Sequence, residues 1–182
     1  MTPERILIAF WLVLVVYWVI PAREVRRNKN QERARWGRSG GAIAVVLLAL
    51  SRSRYLQFRP ARPNAITDGL ALMLCAGGVA FAIWGRRHLG KNWSTSPLVR
   101  EGHQLITSGP YAWVRHPIYT GILAGLLGTA LVGTILWWIV FVVACPVFVY
   151  RAKAEENLLV RQFRVRYPEY KKRTKALVPF VW

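Results

Sequence analysis

Pro117 to Tyr150 reads PIYTGILAGLLGTALVGTILWWIVFVVACPVFVY, 34 consecutive residues without a charge. As one α-helix this run would be about 50 Å long, against a bilayer hydrocarbon core of about 30 Å. A break at Gly133-Thr134 resolves the mismatch and predicts a tight helical hairpin with two short arms. Polar segments flank it on both sides, so both ends of the hairpin open onto the same membrane face.

The rest of the chain fits a membrane setting. Of its 182 residues 54% are hydrophobic and 9 are Trp, yet 26 Lys and Arg stand against 8 Asp and Glu, a formal charge of +18. In a soluble domain these features conflict. They are compatible when apolar and basic residues are segregated, the first solvated by lipid and the second placed at the cytoplasmic surface. Composition therefore disfavours a soluble enzyme, a disordered tail and a disulfide scaffold. Cys75 and Cys145 lie inside apolar runs and read as small buried hydrophobes.

Working outward, Ile6 to Ala22 is a charge-free first helix. An anchor fits it better than a cleavable signal, because no small-x-small site follows and the positive charge comes after the apolar run. Residues 23–38 hold seven Arg and Lys; a juxtamembrane basic loop explains them without nucleic acid. Ser39 to Ser51 is apolar but short, either a helix extended by Tyr55, Leu56 and Phe58 or a re-entrant segment. Pro60 and Pro63 mark a turn, and Gly69 to Gly85 forms a further helix with Thr67 and Asp68 placed to cap it. In the last 32 residues Leu159, Val160, Phe163 and Tyr167 recur at helical spacing, predicting an amphipathic helix ended by Pro168.

The expected fold is an all-α integral membrane protein with about five transmembrane helices, including the short helical hairpin, and a cytosolic C-terminal amphipathic helix. Residues 1–182 form a single membrane domain, with N-terminal transmembrane helices over 1–85 and the functional region over 86–182. With the amino terminus outside, 21 of the 26 basic residues fall on the cytoplasmic side. The four arginines at 52–62 sit poorly in an outer loop and keep the re-entrant alternative open.

Chemistry concentrates at the hairpin's polar mouth. Before it stands Thr107-Ser108-Gly109-Pro110-Tyr111-Ala112-Trp113-Val114-Arg115-His116-Pro117-Ile118-Tyr119-Thr120-Gly121; after it come Arg151-Ala152-Lys153-Ala154-Glu155-Glu156. Gly109-Pro110 makes a turn, Pro117 suits the first turn of a helix, and Tyr111, Arg115, His116 and Tyr119 gather polar groups at one helix mouth. Singly, each has an ordinary explanation: an interfacial aromatic, a lipid-phosphate anchor, a structural histidine. Arg151 and Glu155, four apart, could be an exposed ion pair worth only about 0.3–0.5 kcal/mol. A carboxylate kept among so many basic groups, however, suits an ammonium or sulfonium ligand.

The string TSGPYAWVRHPIYTG, the pair Glu155-Glu156 and the ending from Tyr167-Pro168-Glu169-Tyr170 through Val178-Pro179-Phe180 resemble the isoprenylcysteine carboxyl methyltransferase family of integral membrane enzymes. Related bacterial and archaeal methyltransferases and phospholipid N-methyltransferases share the pattern more loosely. The resemblance covers roughly residues 86 to 182. It implies S-adenosylmethionine as cofactor, bound in a cytosolic pocket by His103, Gln104, Leu105 and Ile106, then Tyr111, His116, Pro117, Ile118 and Tyr119, with Glu155 closing the site. Arg151 matches a catalytic arginine at the acceptor end. The implied acceptor is lipid-like or membrane-associated: an isoprenylcysteine carboxylate, a phospholipid amine, or a small thiol. Neither metal nor covalent intermediate is required for such an in-line displacement, and no nucleic-acid partner is implied.

A lipid acceptor entering between helices would find a small-residue slot at Gly121, Gly125 and Gly128. NADPH-dependent sterol and steroid reductases also carry an arginine-histidine-proline segment before a short hairpin, and a non-enzymatic lipid-binding membrane protein is a third reading. The Glu155-Glu156 pair and the short set of amino-terminal helices favour methyl transfer.

Overall fold

A computed structural model describes residues 3–24, 64–90 and 105–178, with the side chains of 19–24 excepted. The described elements are α1 (Pro3–Glu24), α2 (Ala65–Leu89), a 3-10 turn (Gly109–Ala112), α3 (Pro117–Val132), α4 (Ile135–Gln162) and α5 (Arg166–Arg173). No strand occurs among them, and Val114 and Lys175 form an isolated parallel bridge. The segment expected over 39–58 lies outside the described residues.

The hairpin turns where the run predicts. Gly133 ends α3, its N–H bonded to Thr129 O, and Thr134 opens α4. The arms are unequal, which the sequence did not predict. α3 has 16 residues, whereas α4 continues for 28 residues through Pro146, about 42 Å, and carries Arg151–Gln162 beyond the apolar stretch. The α4 chain breaks at Phe163, not at Pro168; Pro168 lies in the first turn of α5, where its missing N–H costs nothing. The expected single amphipathic helix is therefore two pieces, with Leu159 and Val160 on α4 and Tyr167 on α5.

α2 also differs at its ends. Asn64 caps it, its side chain accepting from the N–H groups of Ile66 and Thr67 at 3.0 and 2.9 Å. The Thr67 hydroxyl returns to the Asn64 backbone and completes a capping box. This stronger cap starts the helix at Ala65 rather than Gly69. The far end runs to Leu89, so Arg86, Arg87 and His88 occupy the last turn, where positive charge complements the helix dipole.

The body is held by close backbone approach. A Cβ placed on Gly78 of α2 would overlap the Gly121 carbonyl and come within 2.8 Å of Gly125 N; one on Gly128 would lie 2.6 Å from Ala71 O. Only glycine lets α2 and α3 touch this way. α1 covers the pair with Leu7, Leu14 and Trp11, and the Trp11 indole N–H donates to Thr129 Oγ1 at 2.9 Å. The small-residue face of α3 is thus filled by α2 and by Trp11, which lies 3.2 Å from where a Gly125 Cβ would stand. The expected acceptor slot along it is closed.

Among the described residues two helices are long and apolar enough to cross a membrane: α2 and α4, at mean hydropathies of 1.9 and 2.0. Ile139, Val142, Val143 and Val147 on α4 and Ile8, Leu12, Val13 and Val15 on α1 are exposed. That much outward apolar surface fits lipid as its solvent, as in an integral membrane protein.

Candidate functional site

The mouth of the hairpin is built by a turn and a strap. Gly109 has φ +60, a left-handed conformation that strains any residue with a side chain, and a Cβ there would fall 2.7 Å from the His88 ring. His88 is bonded to Ser108 Oγ at 2.9 Å and stacks on Tyr111, so the last turn of α2 seats the 3-10 turn. Tyr111 is buried, its hydroxyl near Gly85 O at 3.4 Å and its carbonyl accepting from Tyr170 O–H at 2.5 Å.

From the opposite end of the sequence, residues 174–177 cross the start of α3. Arg115 N donates to Lys175 O at 2.8 Å, His116 N to Ala176 O at 3.0 Å, and Thr120 Oγ1 to Leu177 O at 2.6 Å. This strap fixes the backbone that presents Arg115, His116 and Tyr119.

Against that backbone α4 sets two neighbouring carboxylates. The Tyr119 hydroxyl donates to Glu155 Oε1, and Glu155 Oε2 stands 3.5 Å from His116 Nδ1. Glu156 Oε1 accepts from Arg115 Nε at 2.7 Å, Oε2 pairs with Lys171 Nζ at 2.8 Å, and Oε1 lies 3.5 Å from His116 Nε2. The imidazole is therefore flanked by both acids, one at each ring nitrogen. Its face stacks on Tyr119 with centroids 5.5 Å apart and planes within 7°, and Tyr119 meets Phe148 at 4.9 Å. Arg151, one turn before Glu155 on the same helix, lies close enough to Tyr119 for its charge to act on that phenol.

Electrostatics follows from the packing. Burial pulls the His116 imidazole toward its neutral form, but the carboxylates of Glu155 and Glu156 outweigh that and raise its pKa above the ordinary value. Burial pushes the Tyr111 phenol upward, assisted by the Tyr170, Glu155 and Tyr119 oxygens, so it stays a donor. The two acids differ in exposure: the Glu155 side chain is 32% accessible and the Glu156 side chain 8%.

Of the residues marked from sequence, His116, Tyr119, Glu155 and Arg151 converge, with Tyr111 beside them. Pro117 and Ile118 pack at Gly85 of α2, 3.1 and 3.3 Å from where its Cβ would stand. Leu105 and Ile106 are half-buried leading into the 3-10 turn. His103 and Gln104 lie outside the described residues. Sequence reasoning left out Glu156, Arg115 and Lys171 as a unit. The scarcity of acids flagged the first, but nothing local tied it to a lysine fifteen residues on.

Among the described residues no group of His, Cys, Asp and Glu could hold a metal ion. The donor set instead fits an organic cation. A partly exposed carboxylate and an aromatic face meet at one helix mouth.

The model of the isoprenylcysteine carboxyl methyltransferase family matches residues 70–161, half of the chain, starting within α2 rather than at residue 86. The uncharacterized protein YpbQ of Bacillus subtilis is 27% identical over 128 residues, 65% of this chain and 76% of that one. The protein-S-isoprenylcysteine O-methyltransferases of Schizosaccharomyces pombe and Homo sapiens are 37% and 38% identical over 81 residues, 43% of this chain. The matched segment spans only 34% and 28% of their lengths. A solved structure of the eukaryotic intramembrane Ras methyltransferase, isoprenylcysteine carboxyl methyltransferase, superposes with a TM-score of 0.57 at 21% identity, covering 85% of this chain and 55% of that one. That likeness establishes a shared fold, and the family match, reaching across α2, the mouth and both arms of the hairpin, shows that the chain belongs to the isoprenylcysteine carboxyl methyltransferase family.

Proposed function

We propose that the protein is an S-adenosylmethionine-dependent methyltransferase acting at the cytoplasmic membrane surface on a lipid-like or membrane-associated acceptor. The observation that carries this reading is the convergence of Glu155 with His116 and Tyr119 at the hairpin mouth. In a chain of +18, a carboxylate turned partly outward against an aromatic stack is a site for a cation. The family relationship names methyl transfer as the chemistry such a site serves.

In this reading Glu155, His116 and Tyr119 hold the cofactor, Tyr111 closes one wall, and His103, Gln104, Leu105 and Ile106 supply the loop side. Pro117 and Ile118 set the start of α3 against α2. When bound, S-adenosylmethionine supplies an electrophilic methyl group for in-line displacement. The chain's own contribution is alignment, which can account for several kcal/mol of barrier lowering. Arg151 presents a guanidinium for an anionic acceptor such as the carboxylate of an isoprenylcysteine. An amine or thiol acceptor would need a base, and Glu155 and His116 are the adjacent candidates. The multi-pass topology with the amino terminus outside, five spans and the mouth inside rests on the distribution of basic residues.

Thermal unfolding of the purified full chain with S-adenosylhomocysteine, with NADP or with neither tests the reading. Stabilisation by the first alone is expected; stabilisation by NADP alone would transfer the protein to the reductases, and by neither would remove the cofactor assignment. Glu155→Gln should weaken S-adenosylhomocysteine binding about tenfold by calorimetry, the loss of one charge-assisted contact. Arg151→Ala should retain that binding and lower turnover of a membrane acceptor.

A further inference from the structure

Glu155 and Glu156 are adjacent on α4 yet have different partners. Glu155 faces Tyr119 and His116 and is partly open to the mouth. Glu156 is buried with each oxygen on a separate cation, Arg115 Nε at 2.7 Å and Lys171 Nζ at 2.8 Å. Those cations come from different parts of the chain, Arg115 from just before α3 and Lys171 from α5. Arg115 reaches further: its Nη1 donates to the carbonyls of Thr174 and, at 3.4 Å, Lys171. The strap beyond then pairs with Arg115 N, His116 N and Thr120 Oγ1.

A buried carboxylate paired with a cation at each oxygen persists in the interior only because those partners are in place. We propose that Glu156 is a positioning residue: through Arg115 and Lys171 it clamps residues 171–177 across the hairpin mouth, and from the Nε2 side it sets the His116 ring whose Nδ1 faces Glu155. This rests on reading Glu155, His116 and Tyr119 as the cofactor site. Among the described residues, the groups that face His116 are Glu155 and Glu156 from α4 and Tyr119 stacked from α3, while Arg115, its neighbour in the chain, pairs with Glu156.

Two readouts on the full chain in lipid nanodiscs test the proposal, and the first needs no cofactor. In Glu156→Gln, hydrogen exchange at the Arg115 and His116 amides, which bond to the strap, should accelerate about tenfold or more, with the core of α2 unchanged. Glu169→Gln, on the exposed face of α5, should leave exchange as in the parent. The second readout is the pH dependence of S-adenosylhomocysteine affinity. Removing one of the two carboxylates that favour the imidazolium should lower the midpoint by about one pH unit, a change that general loosening does not produce.

Should Glu156→Gln fail to fold, Lys171→Met serves instead; that lysine side chain is 43% accessible, and its loss should accelerate the same amides about threefold. Unchanged exchange at Arg115 and His116 in every variant that folds overturns the clamp. Faster exchange with an unmoved pH midpoint overturns the role toward His116. If the parent binds no S-adenosylhomocysteine, the cofactor reading fails while the exchange result still decides the clamp.

Discussion

The membrane body and the polar mouth are held together by opposite means. In the body, α2 and α3 meet along Gly78, Gly121 and Gly128, where fit is set by atoms too close to admit a methyl group. Lipid is as apolar as the side chains it replaces, so shape and van der Waals contact must hold the helices. In the mouth, Arg115, Glu156, Lys171 and His116 meet by charge, and the strap is added by backbone hydrogen bonds. The first region should respond to volume and ignore pH; the second should do the reverse.

The sharpest break of this contrast is Gly121→Val. Its added carbons would run into the Gly78 carbonyl and Ala82 N, both backbone atoms that no rotamer change relieves. Overpacking commonly costs about 1–3 kcal/mol and more where backbone must part, so thermal unfolding in detergent should show a fall of more than about 3 kcal/mol. Gly77→Ala, one residue from the seam with open space around its Cβ, should be neutral or slightly stabilising.

Next in size is Arg115→Met. It removes one cation from buried Glu156 and a donor from the Thr174 carbonyl, a change worth about 3 kcal/mol of stability by denaturant titration. Equal losses from Arg115→Met and from a conservative swap on the lipid face of α4, such as Val143→Leu, would show that charge is not what holds the mouth.

The pH response should be smaller. His116 has its pKa raised in the folded chain, so the stability it contributes is fully present below about pH 6.5 and is lost as pH rises through the elevated value. Melting temperature should decline across that interval in the parent and decline less in His116→Gln. A decline of the same size in both would assign the titration elsewhere.

The smallest effect is expected at Trp11→Phe, which keeps an aromatic ring over Gly125 and deletes the hydrogen bond to Thr129. About 1 kcal/mol should be lost. Thr129 Oγ1 also donates to Gly125 O at 2.9 Å, so it is not left unpartnered.

The described helices α1 to α4 were legible in outline because they are written in local pattern. The hairpin and its break at Gly133-Thr134 follow from an uncharged run too long for one span. The ends were less legible. Asn64 outcompeted Thr67 and Asp68 as the cap because its short amide reaches two N–H groups at once. Pro168 reads as a terminator in isolation but sits in a first turn, since α4 had already broken at Phe163. Within the candidate site, His116, Tyr119 and Glu155 were legible as a motif, whereas the acceptor slot assigned to the glycines of α3 was not a slot at all.

Residue order alone determined the apolar runs, the excess of basic charge, the turn at Gly133-Thr134 and the few acids beyond the hairpin, because each depends on neighbours within a helical turn or on simple length against bilayer thickness. Tertiary structure alone decided which surface covers the glycines, which of two adjacent glutamates is buried, and that residues 174–177 return to residues 115–120. Adjacent residues on a helix point about 100° apart. Only the packing of α4 against the start of α3 and against α5 could turn Glu156 inward to Arg115 and Lys171 while leaving Glu155 at the opening.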